Sequence, residues 1–411
     1  MKKLLGLTLG IMTALGGFVD LGQIVFTLQA GALFGYQLAW AVVLGTLVII
    51  LYMEMCGRIA VVAQEPVFAV VRDRLGYPLG LATLVASNLL NLLTCAAEIG
   101  GIAILLRLLT GWPERLLMVG VAVAYLALVL LLKFEWIERT FGLLGLLMIL
   151  FAVSALALRP DWHQFADGLL PSLPAGDDRH QLLYAYFAVG IFSALLMEYE
   201  VHFYSSGAIE EEWKPADLPQ NFAIAATGSL LGSLLTLALL ALGALVFLPL
   251  GIFPETLSSG ALAAGLPFQQ TALVLGILGM IACLSGAAVE TALSAGYNIC
   301  QFFNLEWGKS RRSREVPVYA ISWMGTLVLA VLIVLSGVRP LQLVNISVVF
   351  GMVILPFTYY PILRMAADRG VMGKHANKRV INILGALALL LIVLAALAAI
   401  PLMVITDSGK P

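Results

Sequence analysis

Ala14-Leu15-Gly16-Gly17-Phe18-Val19-Asp20-Leu21-Gly22-Gln23 places one carboxylate inside the first long apolar stretch of the chain. Ala194-Leu195-Leu196-Met197-Glu198-Tyr199-Glu200-Val201-His202 places two more inside the sixth. An acid at bilayer depth costs roughly 2.5–3.5 kcal/mol on insertion scales, so it faces a partner, a cavity or an ion. Glycine weakens a helix by about 1 kcal/mol relative to alanine and admits close backbone approach. Gly16, Gly17 and Gly22 around Asp20 therefore predict a break that frees carbonyls beside the carboxylate, as discontinuous helices do in secondary transporters. The other reading is an unbroken helix packed through its small residues, with Asp20 hydrogen-bonded to a neighbour. Three buried acids opening two comparable parts of the chain favour a cation site.

The surroundings of these stretches are apolar throughout. Hydrophobic residues make up 61% and charged residues 11% of 411 positions, a balance that excludes a soluble globular domain. Apolar runs of about 20 residues recur, which means membrane helices rather than barrel strands. Eleven spans are expected, over 5–33, 37–63, 79–109, 114–133, 136–158, 182–208, 219–249, 269–303, 315–337, 340–366 and 378–406. With the N-terminus inside, Lys2, Lys3, Arg72, Arg74, Lys309, Arg311, Arg312, Arg364 and Arg369 gather on one side. That asymmetry predicts a bacterial inner-membrane protein with its N-terminus cytoplasmic and its C-terminus outside. Lys2-Lys3 before an apolar run imitates a signal peptide, but Asp20 and the lack of a small-residue cleavage site assign the run to the first helix. Cys56, Cys95, Cys283 and Cys300 fall inside spans without a CxxC pair and are expected to be core residues.

Other polar groups are less decisive. Glu54 and Arg58 stand at i and i+4 in span two, the spacing of a structural ion pair. Lys133-Phe134-Glu135-Trp136 is expected to be an interfacial anchor, and 160–180 an external, partly helical loop. In span six, Glu198 and Glu200 lie about 200° apart on a regular helix, so either one faces elsewhere or the helix unwinds. His202 is expected to line the path or to be structural rather than a ligand. Glu210-Glu211-Glu212 is either an attractor for leaving cations or a solvated run, and Glu290 in span eight either faces the path or pairs with a neighbour.

The continuation Leu28-Gln29-Ala30-Gly31-Ala32-Leu33-Phe34-Gly35-Tyr36-Gln37-Leu38-Ala39-Trp40 resembles the NRAMP divalent-metal transporters. Their first helix carries Asp-Pro-Gly-Asn and then Leu-Gln-Ala-Gly-x-x-Phe-Gly-Tyr-x-x-x-Trp. Asp368-Arg369-Gly370-Val371-Met372-Gly373-Lys374-His375-Ala376-Asn377 is similar to a second family motif, Asp-Arg-x-x-Met-Gly-x-x-x-Asn. The resemblance implies an all-α, leucine-transporter-type fold of eleven helices in 5+5 inverted repeats, with helices 1 and 6 broken. Its expected parts are a first repeat at 1–159, the loop at 160–180, a second repeat at 181–366, and a loop with span eleven at 367–411.

Residue by residue, the resemblance implies that Asp20, Gln23, the Ala194 carbonyl and the Met197 thioether hold a metal. Gln23 stands for the family's asparagine and Leu21 for its proline. Glu198 and Tyr199 replace a Pro-His pair, which adds Glu198 to the expected ligands. Glu98 aligns with a glutamate of the proton pathway, but Cys95 replaces the nearby aspartate, and Arg311, Arg312 and Arg314 stop short of span nine. Val348 occupies the place of a glutamine that helps close the site. Glu200, His202, Tyr199, Glu98, Glu290 and Asn345 are expected along the gate or permeation path.

Carboxylates, carbonyls and water suit hard ions, whereas thioether sulfur suits softer metals. An added acid therefore resembles the magnesium-transporting branch of the family, with Mn²⁺ a second candidate and no proton coupling. The alternatives are a proton-coupled Mn²⁺/Fe²⁺ carrier, or an organic-cation or amino-acid carrier of the same fold. An intramembrane enzyme using Glu198, Glu200 and His202 has neither HExxH spacing nor a nucleophile motif. Beyond the transported divalent cation and the lipid bilayer, no cofactor or nucleic-acid partner is expected.

Overall fold

Helix boundaries follow the chain's punctuation closely. The computed structural model describes residues 19–132, 134–266 and 268–411, so Gly16, Gly17, Lys133 and the opening of the first expected span lie outside the described residues. Among the described residues every regular element is helical, and ten helices are long and apolar enough to cross a membrane. The described part of the first span is a shorter apolar helix, α1 (Leu21–Phe34). There follow α2 (Ala39–Ala63), α3 (Val67–Leu75), α4 (Tyr77–Thr110), α5 (Glu114–Leu131), α6 (Phe134–Gly145) and α7 (Ile149–Ala157). After the short α8 (Trp162–Asp167) come α9 (Asp178–Leu195) and α10 (Glu198–Glu210). The second part continues with α11 (Leu218–Leu242), α12 (Leu257–Gly265), α13 (Gln269–Phe302), α14 (Pro317–Leu335) and α15 (Pro340–Ala367). The four-residue α16 (Arg369–Met372) and the terminal α17 (Arg379–Ile405) close the chain.

From the second onward, expected and observed spans agree to within a few residues. The loop 160–180 is shorter than expected, because α9 already starts at Asp178, with the Asp177 side chain accepting the His180 N–H at 2.9 Å. Proline opens α14 and α15, where its missing N–H costs nothing. The two 34-residue helices, α4 and α13, pack along one another through the middle of the bundle. By contrast, α5 and α17 expose most of their apolar surface, as lipid-facing helices do.

Helix α1 is buried along almost its whole length, wedged against α9 and α11. Two glycines make this possible. A Cβ on Gly31 would stand 2.1 Å from the Leu240 carbonyl oxygen, and one on Gly243 would stand 2.4 Å from that of Leu28. Gly243 also begins a π-helical turn, Gly243–Phe247, that extends α11. Contact is therefore backbone on backbone, the packing that small residues allow where lipid supplies no hydrophobic drive.

Arg58 explains the second sequence motif. Its guanidinium pairs with Glu54 at 2.9 Å and also donates to the His375 carbonyl and Asn377 Oδ1, both at 2.6 Å. Asn377 in turn donates to the Met55 sulfur. The loop before α17 is thus fastened to α2 by one planar fork, a geometry lysine does not reproduce. Arg58→Ala is expected to raise amide exchange across 373–378 at least about tenfold, since losing part-buried charged hydrogen bonds costs roughly 1.5–3 kcal/mol. Exchange mass spectrometry would read this, and an unchanged loop would show that the fork does not hold it.

Within the stretch expected to be an interfacial anchor, Trp136 is exposed while Phe134 is buried, with the Lys309 ammonium 4.4 Å from its ring centre. One alternative needs correction: Glu210 is not a solvated charge, since its carboxylate accepts the Lys309 N–H at 2.6 Å and the Tyr297 hydroxyl at 3.1 Å.

Candidate metal-binding site

Span six is broken, and it breaks without proline. Leu195 ends α9, Leu196 and Met197 leave the helical path, and Glu198 opens α10. Neighbours take up the freed backbone. The Leu196 carbonyl accepts the hydroxyl of fully buried Tyr359 at 3.2 Å, while the Ser193 hydroxyl donates to the Val348 carbonyl at 2.7 Å. Both partners come from α15, and Tyr359 is itself braced edge-on against Tyr52 at 4.4 Å. Opposite this break, Asp20 is extended (φ −95°, ψ 176°) and caps α1, its Oδ1 accepting the Gln23 N–H at 2.7 Å.

Between the two irregular points lies a cavity of about 30 Å³, room for one or two waters or a single ion. Asp20, Thr94, Ala194, Met197, Glu198, Tyr199, Ser347 and Val348 are among its lining residues. Val348 closes it over the start of α1, packing so tightly that a Cβ on Gly22 would stand 2.8 Å from Val348 Cγ2.

The expected ligands behave differently from one another. Asp20 and Glu198 both line the cavity. The Gln23 amide does not line it; Nε2 donates to the Ala194 carbonyl at 3.0 Å, and Oε1 accepts from Thr236 at 3.4 Å. The Met197 sulfur accepts the Tyr199 hydroxyl at 2.9 Å. In this conformation three of the five expected donors are therefore occupied within the protein. Among the described residues, no three His, Cys, Asp or Glu side chains converge as a metal cluster.

Along the expected path, His202 lies one turn below Glu198, Nε2 to Oε1 at 3.0 Å but off the line of a hydrogen bond, with its ring against Phe68 at 4.3 Å. Both Glu198 oxygens lack hydrogen-bond partners despite 1% exposure. Helix α10 is regular from Glu198 onward, so Glu200 points away from the cavity, as the 200° separation requires. Glu98 accepts the Leu21 N–H at 2.9 Å. Glu290 is buried in α13, and neither it nor Asn345 lines the cavity. Cys95 donates to the Ala288 carbonyl, and all four cysteines are free and buried. Sequence reasoning missed Thr94, Ser193, Ser347 and Tyr359. The first three are hydroxyls on apolar helices, a signal that was available; nothing local marks Tyr359.

Two buried acids lining one cavity, one at the break of span six and one at the start of α1, inside an all-helical bundle, define a secondary transporter of the broken-helix class. Residues 10–401 match the family model described as "Natural resistance-associated macrophage protein-like". The chain belongs to the Nramp family. A curated relative from Levilactobacillus brevis, "Divalent metal cation transporter MntH", is 25% identical over 408 residues, covering 92% of this chain and 85% of that protein. The fold is similar to that of a manganese transporter from Eremococcus coleocola, solved with an aromatic bis-isothiourea compound (TM-score 0.76, 22% identity, 95% of this chain and 84% of that one). A more distant likeness joins it to MHP1, a nucleobase-cation-symport-1 family transporter (TM-score 0.57, 13% identity, 97% and 91% covered). The fold is thus the leucine-transporter type, and the enzyme reading of Glu198, Glu200 and His202 is set aside.

Proposed function

We propose that the chain carries divalent metal cations across the membrane by alternating access, with Mg²⁺ preferred, Mn²⁺ tolerated and no coupled proton. The observation that carries this reading is that Asp20 and Glu198 both line the cavity while the Gln23, Ala194 and Met197 donors are engaged within the protein. Two carboxylates and water make a hard site, and Mg²⁺ is typically held by one or two carboxylates while keeping several waters. A cavity of about 30 Å³ has no room for that hydration shell, so α1 and the α9–α10 break must separate from α15 to admit the ion. Gln23 and Ala194 become available as ligands once their mutual bond opens, and Met197 once Tyr199 releases its sulfur. His202, one turn from Glu198, is assigned to the permeation path beside it.

Proton independence is supported by the state of the remaining groups. Cys95 donates to a backbone carbonyl, and Tyr199 to a thioether. The N-in, C-out orientation is carried with the proposal, on the distribution of Lys and Arg. A second reading, a proton-coupled Mn²⁺ carrier, is favoured by buried Glu98 and by the manganese named for the structural relative. Flux into proteoliposomes with an internal pH dye separates the two. Mg²⁺ entry without acidification is the expected result; Mn²⁺ entry with acidification and no Mg²⁺ flux would replace it with the second reading.

A further inference from the structure

Helix α4 grips the first residue of α1 at two points. Glu98 Oε1 accepts the Leu21 N–H at 2.9 Å, and the Leu21 side chain, 2% exposed, fills the space at Gly101, where a Cβ would stand 2.9 Å from Leu21 Cδ2. Glu98 itself is 1% exposed, its Oε2 has no hydrogen-bond partner, and it stands outside the cavity lining. This carboxylate therefore spends its one hydrogen bond on a backbone group beside Asp20. The first N–H groups of a helix have no partner within the helix, and an acidic acceptor there is further favoured by the helix dipole. Asp20 Oδ1 satisfies Gln23, and Glu98 satisfies Leu21.

We propose that Glu98 is a positioning residue: by accepting the Leu21 N–H it sets where α1 begins, and so holds the Asp20 carboxylate at the cavity. The inference rests on the reading of Asp20 as a metal ligand. It assigns Glu98 a mechanical role in ion affinity.

The bond has an unusually clean test. Leu21 is the first helical residue, and Asp20 before it is extended, the conformation a following proline demands. Leu21→Pro thus deletes one N–H without redirecting the chain, and Leu21→Ala controls for the lost side chain. The measurement is Mn²⁺ and Mg²⁺ flux in proteoliposomes, resolved into KM and maximal rate, on variants confirmed monodisperse. Glu98→Ala and Leu21→Pro are each expected to raise KM about tenfold, with the maximal rate within about threefold. Glu98→Gln, which keeps an oxygen acceptor, and Leu21→Ala are expected to stay within about threefold of wild type.

Combining Glu98→Ala with Leu21→Pro should give the single-variant KM, because both remove the same bond. Multiplying effects, or Glu98→Gln as damaging as Glu98→Ala, would overturn the proposal. Should Glu98→Ala not yield folded protein, Leu21→Pro against Leu21→Ala decides alone: equal KM values overturn it. Asp20→Asn distinguishes the two levels. Intact flux in Asp20→Asn sinks the metal-site reading, whereas lost flux with multiplying effects sinks only the positioning role.

Discussion

Asp20→Asn is expected to raise the KM for Mg²⁺ or Mn²⁺ by about a hundredfold or more while leaving thermal stability nearly unchanged. The two effects separate because Asp20 does two jobs. Its Oδ1 caps α1 through the Gln23 N–H, and asparagine caps as well as aspartate. Only the charge is lost. A unit charge about 4 Å from another is worth roughly 4 kcal/mol per charge on the ion at an effective dielectric near 20, before desolvation is subtracted. A retained 2.8 kcal/mol, about two-thirds of that, already gives a factor of about one hundred. Flux kinetics beside a melting curve would check this; a KM within about threefold of wild type would move the ion site elsewhere.

Gly31→Ala is expected to be among the most damaging single-methyl changes in the fold. The added Cβ would meet the Leu240 carbonyl oxygen at 2.1 Å and Gly243 Cα at 2.9 Å, both backbone atoms that no rotamer change can move. Overpacking a core ordinarily costs about 1–3 kcal/mol, and a clash with rigid backbone belongs at or above the top of that range. Gly120→Ala is the matched control, since a Cβ there meets nothing within 4 Å and alanine favours the helix by up to about 1 kcal/mol. Thermal unfolding in detergent should show Gly31→Ala falling well below wild type and Gly120→Ala not. Equal midpoints would mean that α1 and α11 are not in backbone contact.

The two positions differ in how readable they were. Asp20 stood out locally, because an acid in an apolar stretch has few explanations. Gly31 sits within a quoted motif, but its partner Gly243 is more than two hundred residues away, and no local feature pairs them. The same division runs through span six. Glu198 and Glu200 were legible as acids that a regular helix sends to different sides. That the break falls at Leu196 and Met197, just before Glu198, depends on two bonds to α15, from the Tyr359 hydroxyl to the Leu196 carbonyl and from the Ser193 hydroxyl to the Val348 carbonyl.

The limits of spans two to eleven and the buried acids Asp20 and Glu198 were determined by the sequence itself, because hydrophobic length and misplaced charge are local costs that the bilayer imposes on each segment separately. Tertiary structure alone decided that Gln23 and Ala194 occupy each other, that Met197 is held by Tyr199, and that Glu98 holds Leu21 rather than lining the cavity. Each of those is a choice among several polar partners of similar strength, and only the packing of distant helices brings one of them within hydrogen-bonding distance.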